Sequence, residues 1–216
     1  MEEAKWAVLF DFDGVVVDTE TQYTQFWNNV GKRFLNGLED FGITIKGQTL
    51  TEIYSTYFKD KVGEQELITR DLHAFEEPMS FDYVPGVDVW MQTLKSQGIK
   101  IAVVTSSDDH KMQRAFKAHP HLRESLDCLV TANMVSHSKP HPECFLKAAE
   151  ILNIPIQRCI VFEDSLNGLM AAARAGMKVV GLTTTNPAEK IREKCCLTID
   201  DFRGITLEEL KELWSK

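Results

Sequence analysis

Two aspartates, Asp11 and Asp13, stand one residue apart, directly after the apolar run WAVLF at 6–10 and just before Gly14. A second acid pair, Glu163-Asp164, closes another apolar run at 158–162. A third run, 99–104, ends in Thr105-Ser106-Ser107, and Lys139 lies in the loop sequence Ser138-Lys139-Pro140. Each feature alone has an ordinary explanation. Acids and glycine are common where a strand turns, hydroxyl residues cap helices, and acids favour helix N-termini. Together they offer a nucleophilic carboxylate, a neighbouring acid, hydroxyls and a cation. Two acid clusters brought to one place repel unless a cation lies between them. Oxygen ligands without Cys or His suit Mg²⁺.

These residue types fit phosphoryl transfer. A carboxylate can attack phosphorus and form an acyl phosphate, splitting one difficult transfer into two steps. Alignment and neutralisation of the phosphate oxygens supply most of the rest. Asp11 is the expected nucleophile. Asp13 is expected to protonate the leaving oxygen and then to activate water. Thr105, Ser106 and Lys139 are expected to bind the transferring group. Asp11, Asp13 through its backbone oxygen, Glu163 and Asp164 are the expected metal ligands, Glu163 directly or through water. Tyr23, soon after the nucleophile's loop, is the residue expected to face the substrate.

The elements that must position these groups are legible as two alternating textures. Short β-rich runs occur at 6–10, 99–104, 127–130, 158–162 and 178–182, with a sixth candidate at 196–199. Amphipathic stretches at 87–97, 109–118, 142–153 and 165–175 separate most of them. Strands alternating with helices predict a Rossmann-like α/β fold, a parallel sheet covered by helices on both faces. In such sheets ligands bind beyond the carboxyl ends of the strands, where all three clusters fall. Residues 18–84 break the rhythm with helical patterns near 20–40, 48–60 and 64–76. They predict an inserted α-helical cap on a discontinuous core of 1–17 and 85–216. The crossings near 15–20 and 79–86 are expected to act as hinges. The cap aromatics Phe26, Trp27, Tyr54 and Tyr57 are expected mainly to pack on amphipathic helices.

Composition narrows the function. The chain has 216 residues, 24 Lys+Arg and 32 Asp+Glu, for a net charge of −8. That balance argues against nonspecific nucleic-acid or anionic-membrane binding. Twelve acids and six basic residues fall in 18–84, so most of the excess lies outside the core. No apolar run reaches the roughly 20 residues of a membrane span, and residues 1–10 do not read as a signal peptide. A cytoplasmic monomer acting on a small phosphorylated metabolite is expected. Five cysteines without knuckle spacing suggest reduced thiols, with Cys128 and Cys159 in the core. His119, His121, His137 and His141 alternate with prolines and lack helical ligand spacing, so no zinc site is expected there.

The ordered motifs DFDGVVVDTE (11–20), VVTSS (103–107), SKPHPECF (138–145) and VFEDSLNGLMAAARAGM (161–177) resemble those of the haloacid dehalogenase-like superfamily. Within it the chain is similar to the β-phosphoglucomutase-like phosphatase group. The resemblance implies the same roles for Asp11, Asp13, Thr105, Lys139, Glu163 and Asp164, with Asn167 and Gly168 shaping the last loop. Dehalogenases lack an acid two residues after the nucleophile, so Asp13 disfavours carbon–halogen cleavage. Sugar mutases of the group use a cap arginine where Leu50 stands and a histidine where Tyr23 stands. Lys46 or Lys59 remains available for a second phosphate. A Mg²⁺-dependent phosphatase acting on a sugar or polyol phosphate is therefore expected, with a phosphosugar mutase as the enzyme alternative. A receiver-like signalling module is the non-enzyme alternative. Receivers place their lysine after the other site residues, whereas Lys139 precedes Glu163-Asp164.

Overall fold

The computed structural model describes residues 6–215. Six strands, β1 (Ala7–Phe10), β2 (Lys100–Val104), β3 (Cys128–Val130), β4 (Cys159–Glu163), β5 (Lys178–Leu182) and β6 (Leu197–Ile199), form one sheet in the order β3-β2-β1-β4-β5-β6. Every pairing is parallel. β1 lies between β2 and β4, and Phe10 is in register with both Val103 and Phe162. That register brings Asp11, Thr105 and Glu163, each one or two residues further on, to the carboxyl edge of the sheet.

Side chains alternate across the sheet, as a period of two requires. Val8 and Phe10 point to one face with Ile101, Val103, Ile160 and Phe162. This face is covered by α5 (Val87–Ser96), α6 (Asp109–Ala118), α7 (Pro120–Ser125) and α11 (Leu207–Ser215). Phe10 stacks on Phe162 with centroids 5.1 Å apart, and Phe202 closes the group. Burying each ring contributes about 1.5–3 kcal/mol. Ala7 and Leu9 face the other way, against α8 (Glu143–Leu152), α9 (Leu166–Arg174) and α10 (Ala188–Ile191). Ala148, Ala149, Ala171 and Ala172 line those helices, so small residues meet the β-branched strands. Cys128, Cys144 and Cys159 are buried free thiols, and Cys195 and Cys196 are also unpaired.

Between β1 and α5 lie α1 (Glu20–Phe34), α2 (Phe41–Thr44), α3 (Leu50–Tyr57) and α4 (Val62–Glu76). They enclose a separate apolar cluster that includes Trp27, Val30, Phe41, Phe58, Ile68 and Leu72. Tyr23, Phe26, Tyr54 and Tyr57 pack against it. The two chain crossings that join this insert to the sheet run side by side. Asp18 donates its N–H to Asp82 (2.8 Å), and Val84 donates to Val16 (3.0 Å). The helix expected near 20–40 ends earlier, at Phe34, in a turn containing Asn36 and Gly37, both at positive φ, and the short α2 follows that turn. Helices α7 and α11 were not apparent from sequence texture. Among the described residues, no helix is long and apolar enough to cross a membrane.

Candidate active site

The chain leaves β1 through a tight turn in which Val16 and Val17 donate to the Phe12 carbonyl, 2.8 and 3.0 Å away. Gly14 sits in that turn at φ +79°, and a Cβ there would overlap the Asp164 carboxylate. Glycine is therefore required twice over, by backbone conformation and by close approach. Two helices begin beside this turn with side-chain caps. Asp108 accepts from the Lys111 N–H at the start of α6, and Ser165 accepts from the Gly168 N–H at the start of α9. Thr184 braces the turn from the far side by donating to the Gly14 carbonyl at 2.5 Å.

Lys139 is the hub of the buried charges and is only 2% exposed. Its Nζ donates to Asp11 Oδ1 at 2.5 Å and to Glu163 Oε1 at 2.7 Å. Burial opposes its charge, but Asp11 and Glu163 outweigh that and raise its pKa. Glu163 is fully engaged. Its second oxygen accepts from the Asp164 and Ser165 N–H groups, each at 2.8 Å, and from the Ser165 hydroxyl at 3.0 Å. Asp11 is pushed up to about 8, first by burial and then by Glu163, against the pull of Lys139.

Asp164 is the unsatisfied member. It is 1% exposed, and neither carboxylate oxygen has a hydrogen-bond partner. Burial, followed by Glu20, Glu163 and Asp11, pushes its pKa far above the usual carboxylate range. One oxygen each from Asp11, Glu163 and Asp164 falls within 4.8 Å of the others. An orphaned buried carboxylate beside a second acid is costly in isolation. A hard cation bound by oxygen ligands would relieve it, so the residues present fit a divalent ion.

Asp13 has a different environment. Its carboxylate accepts from Thr19, from Ser107 at 2.9 Å and from the ammonium of Lys111. Burial alone would raise its pKa, but Lys111 and these three hydrogen bonds outweigh burial and lower it. Lys111 Nζ also lies 3.9 Å from the centroid of the Tyr23 ring. The Tyr23 hydroxyl donates to Glu76 at 2.6 Å. Tyr23 therefore borders the site, with its hydroxyl committed within the protein.

The helical insert seats directly on the strand-end loops. Ser106 donates to the Gly47 carbonyl at 3.0 Å, and Asn167 donates to the Lys46 carbonyl at 2.6 Å. Glu52 of α3 accepts from the Ser138 N–H at 2.6 Å and also from its hydroxyl. A cavity of about 300 Å³ lies between insert and sheet. Asp11, Asp13, Thr105, Lys139 and Asp164 line its floor, and Trp27 and Leu50 are among the residues of its roof. That volume suits a small ligand. Lys46 reaches the cavity but pairs with Glu20 at 2.5 Å, and Lys59 is exposed outside it.

All eight residues singled out from sequence converge here. Seven line the cavity, Ser106 and Tyr23 included, while Glu163 stands behind them, holding Lys139. Sequence reasoning missed Lys111, Glu52, Glu76 and the Glu20–Lys46 pair. Lys111 carried a signal: a lysine in the first turn of a helix opposes the helix dipole and needs an acidic partner. His137 and His141 do meet at the protein surface, their rings 4.6 Å apart beside Glu143. Glu143 accepts from the Ser136 and His137 N–H groups and so caps their turn.

Comparison with known proteins agrees with this geometry. Residues 7–176 match the family of haloacid dehalogenase-like hydrolases. The chain is 32% identical over 186 residues to a phosphorylated carbohydrates phosphatase of Thermotoga maritima, covering 80% of this chain and 82% of that one. It is 30% identical to the validoxylamine A 7'-phosphate phosphatase of Streptomyces hygroscopicus subsp. limoneus, over 89% of this chain and 92% of the other. The β-phosphoglucomutase structure from Clostridium difficile superposes with a TM-score of 0.78 at 26% identity, covering 98% and 97% of the two chains. The carboxylates at the ends of β1 and β4, the lysine between them and the insert above them thus belong to a haloacid dehalogenase-like hydrolase of the β-phosphoglucomutase-like phosphatase group.

Proposed function

We propose that this chain is a Mg²⁺-dependent phosphatase that hydrolyses a small sugar or polyol phosphate through an aspartyl-phosphate intermediate. The observation that carries the reading is the buried set Asp11–Lys139–Glu163 beside an unpartnered Asp164, under a cavity of about 300 Å³. Asp11 attacks phosphorus, and the bond from phosphorus to the substrate oxygen breaks. Asp13 gives that oxygen a proton as it leaves. Asp13 then takes a proton from water, whose oxygen attacks the acyl phosphate and frees phosphate and Asp11. Lys139 fixes one oxygen of Asp11 and offers positive charge to the phosphoryl group, while Thr105 and Ser106 offer hydroxyls. Asp11, Asp164 and the backbone oxygen of Asp13 would hold Mg²⁺, with Glu163 adding charge at the edge of the set. When bound, the ion supplies neutralisation of phosphate charge. Helices α1–α4 act as a cap on a core of 1–17 and 85–216, and their seating excludes water from the site.

The relatives named for phosphorylated carbohydrates and validoxylamine A 7'-phosphate support the substrate class. The mutase alternative is less favoured, since Leu50 lines the cavity in place of an arginine and the Lys46 ammonium that reaches it is paired with Glu20. A panel of phosphorylated metabolites with Mg²⁺, scored for both free phosphate and isomeric product, tests the proposal. Free phosphate is expected, abolished by EDTA and by Asp11→Asn. An isomer that depends on a bisphosphate primer, without phosphate release, would overturn it.

A further inference from the structure

Lys111 is a lysine that the fold has gone out of its way to bury. It stands in the first turn of α6, where the helix dipole disfavours a cation. It is 3% exposed, as buried as the core residues around it. Its Nζ pairs with Asp13, and the Tyr23 ring covers it at 3.9 Å, close enough for a cation–π contact. The Phe12 ring lies 5.8 Å away on the Asp13 loop.

Asp13 is thereby held from three separate elements. Thr19 belongs to the crossing into the helical insert, Ser107 to the loop between β2 and α6, and Lys111 to α6. Tyr23 belongs to α1 of the insert, and its hydroxyl is tied to Glu76 at the end of α4. Arg114, one turn beyond Lys111 on α6, donates to the Glu76 and Glu77 carbonyls. Helix α6 thus holds both the acid/base side chain and the C-terminal end of α4 in the insert. With the insert seated, the Tyr23 ring excludes water from the ammonium, which strengthens the pair with Asp13. With the insert lifted, that cover is gone.

We infer that Lys111 is a positioning residue that fixes the Asp13 carboxylate when the Tyr23 ring closes over it, an inference that rests on the acid/base role proposed for Asp13. Lys111 acts through Asp13 and takes no part in bond making. The step most sensitive to it is the second one, in which Asp13 must accept a proton from water.

Burst kinetics with p-nitrophenyl phosphate and Mg²⁺ isolate that step, because p-nitrophenolate leaves without needing a proton. Lys111→Met should give a burst of about one p-nitrophenolate per active site, followed by a steady rate about 10- to 100-fold below wild type. The constant kcat falls, while kcat/KM, which reports acyl-phosphate formation, stays within about 3-fold of wild type. Lys111→Arg should restore much of kcat. Tyr23→Leu, which removes the ring over Lys111 together with the hydroxyl bonded to Glu76, should show the same split at smaller size and serves if Lys111→Met does not fold. An unchanged kcat in Lys111→Met, or an equal loss of kcat and kcat/KM in it and Tyr23→Leu, would overturn the inference, provided Asp13→Asn has lost kcat. Wild-type turnover by Asp13→Asn is a different failure: it would remove the acid/base assignment on which the inference stands.

Discussion

Gly168 matters for what it lacks. A Cβ there would overlap the Glu163 carboxylate, whose oxygens hold Lys139 and the start of α9. Gly168→Ala must push Glu163 aside and release one of the two carboxylate anchors of Lys139. The expected result is a loss of at least about 10-fold in kcat with a native circular dichroism spectrum; wild-type kcat would show that Glu163 does not hold Lys139 in place. Asp11, Asp13 and the Glu163-Asp164 pair were legible in sequence because each follows or closes an apolar run, and Lys139 because a cation in the loop Ser138-Lys139-Pro140 is what such acids and a phosphate need. Lys111 offered only its unfavourable place in a helix's first turn, because its partner is 98 residues away and only the folded chain brings them together. Glu163 shows the limit of residue type alone. It is an acid beside a candidate metal site, yet its oxygens serve backbone N–H groups and a lysine.

At the scale of elements, α3 carries a sequence pattern that the fold uses differently. Thr49 caps α3 by accepting from the Glu52 N–H, and Glu three residues after a Thr cap usually returns the bond. Here the Glu52 carboxylate instead reaches across to Ser138, the neighbour of Lys139. A hydrogen bond to a charged group contributes about 1.5–3 kcal/mol, so Glu52→Ala should weaken seating of the insert by roughly one to two decades. Faster amide exchange over 45–57 and a raised KM, with an unchanged midpoint of global unfolding, are expected. Unaltered exchange in that segment would mean the contact does not hold the insert. The strands were legible because both sheet faces are buried and their residues are mainly apolar, with Lys100, Lys178 and Glu163 only at strand ends. The break between α1 and α2 was not, because the amphipathic pattern continues through the turn at Asn36-Gly37.

Across the whole molecule, buried acid outweighs buried base at the site, in keeping with a net charge of −8. Burial is the first cause that raises Asp11 to about 8 and lifts Glu20, Glu76 and Asp164. Each of these carboxyls binds its proton more tightly folded than unfolded. The native state therefore gains stability below the raised pKa and loses it as pH rises from about 4 toward 8. Urea titrations of the metal-free protein should show stability falling by more than about 1 kcal/mol between pH 5 and 8. If the proposed site binds Mg²⁺ through the ionised carboxylates, saturating Mg²⁺ should flatten that slope; a slope of the opposite sign would refute the electrostatic picture. The most direct test of the central claim is borohydride reduction of the enzyme during turnover of p-nitrophenyl phosphate with Mg²⁺, read by peptide mass spectrometry. An acyl phosphate on Asp11 predicts reduction to homoserine at position 11, dependent on substrate and metal. Phosphate release with position 11 unreduced, or reduction at another carboxylate, would contradict it.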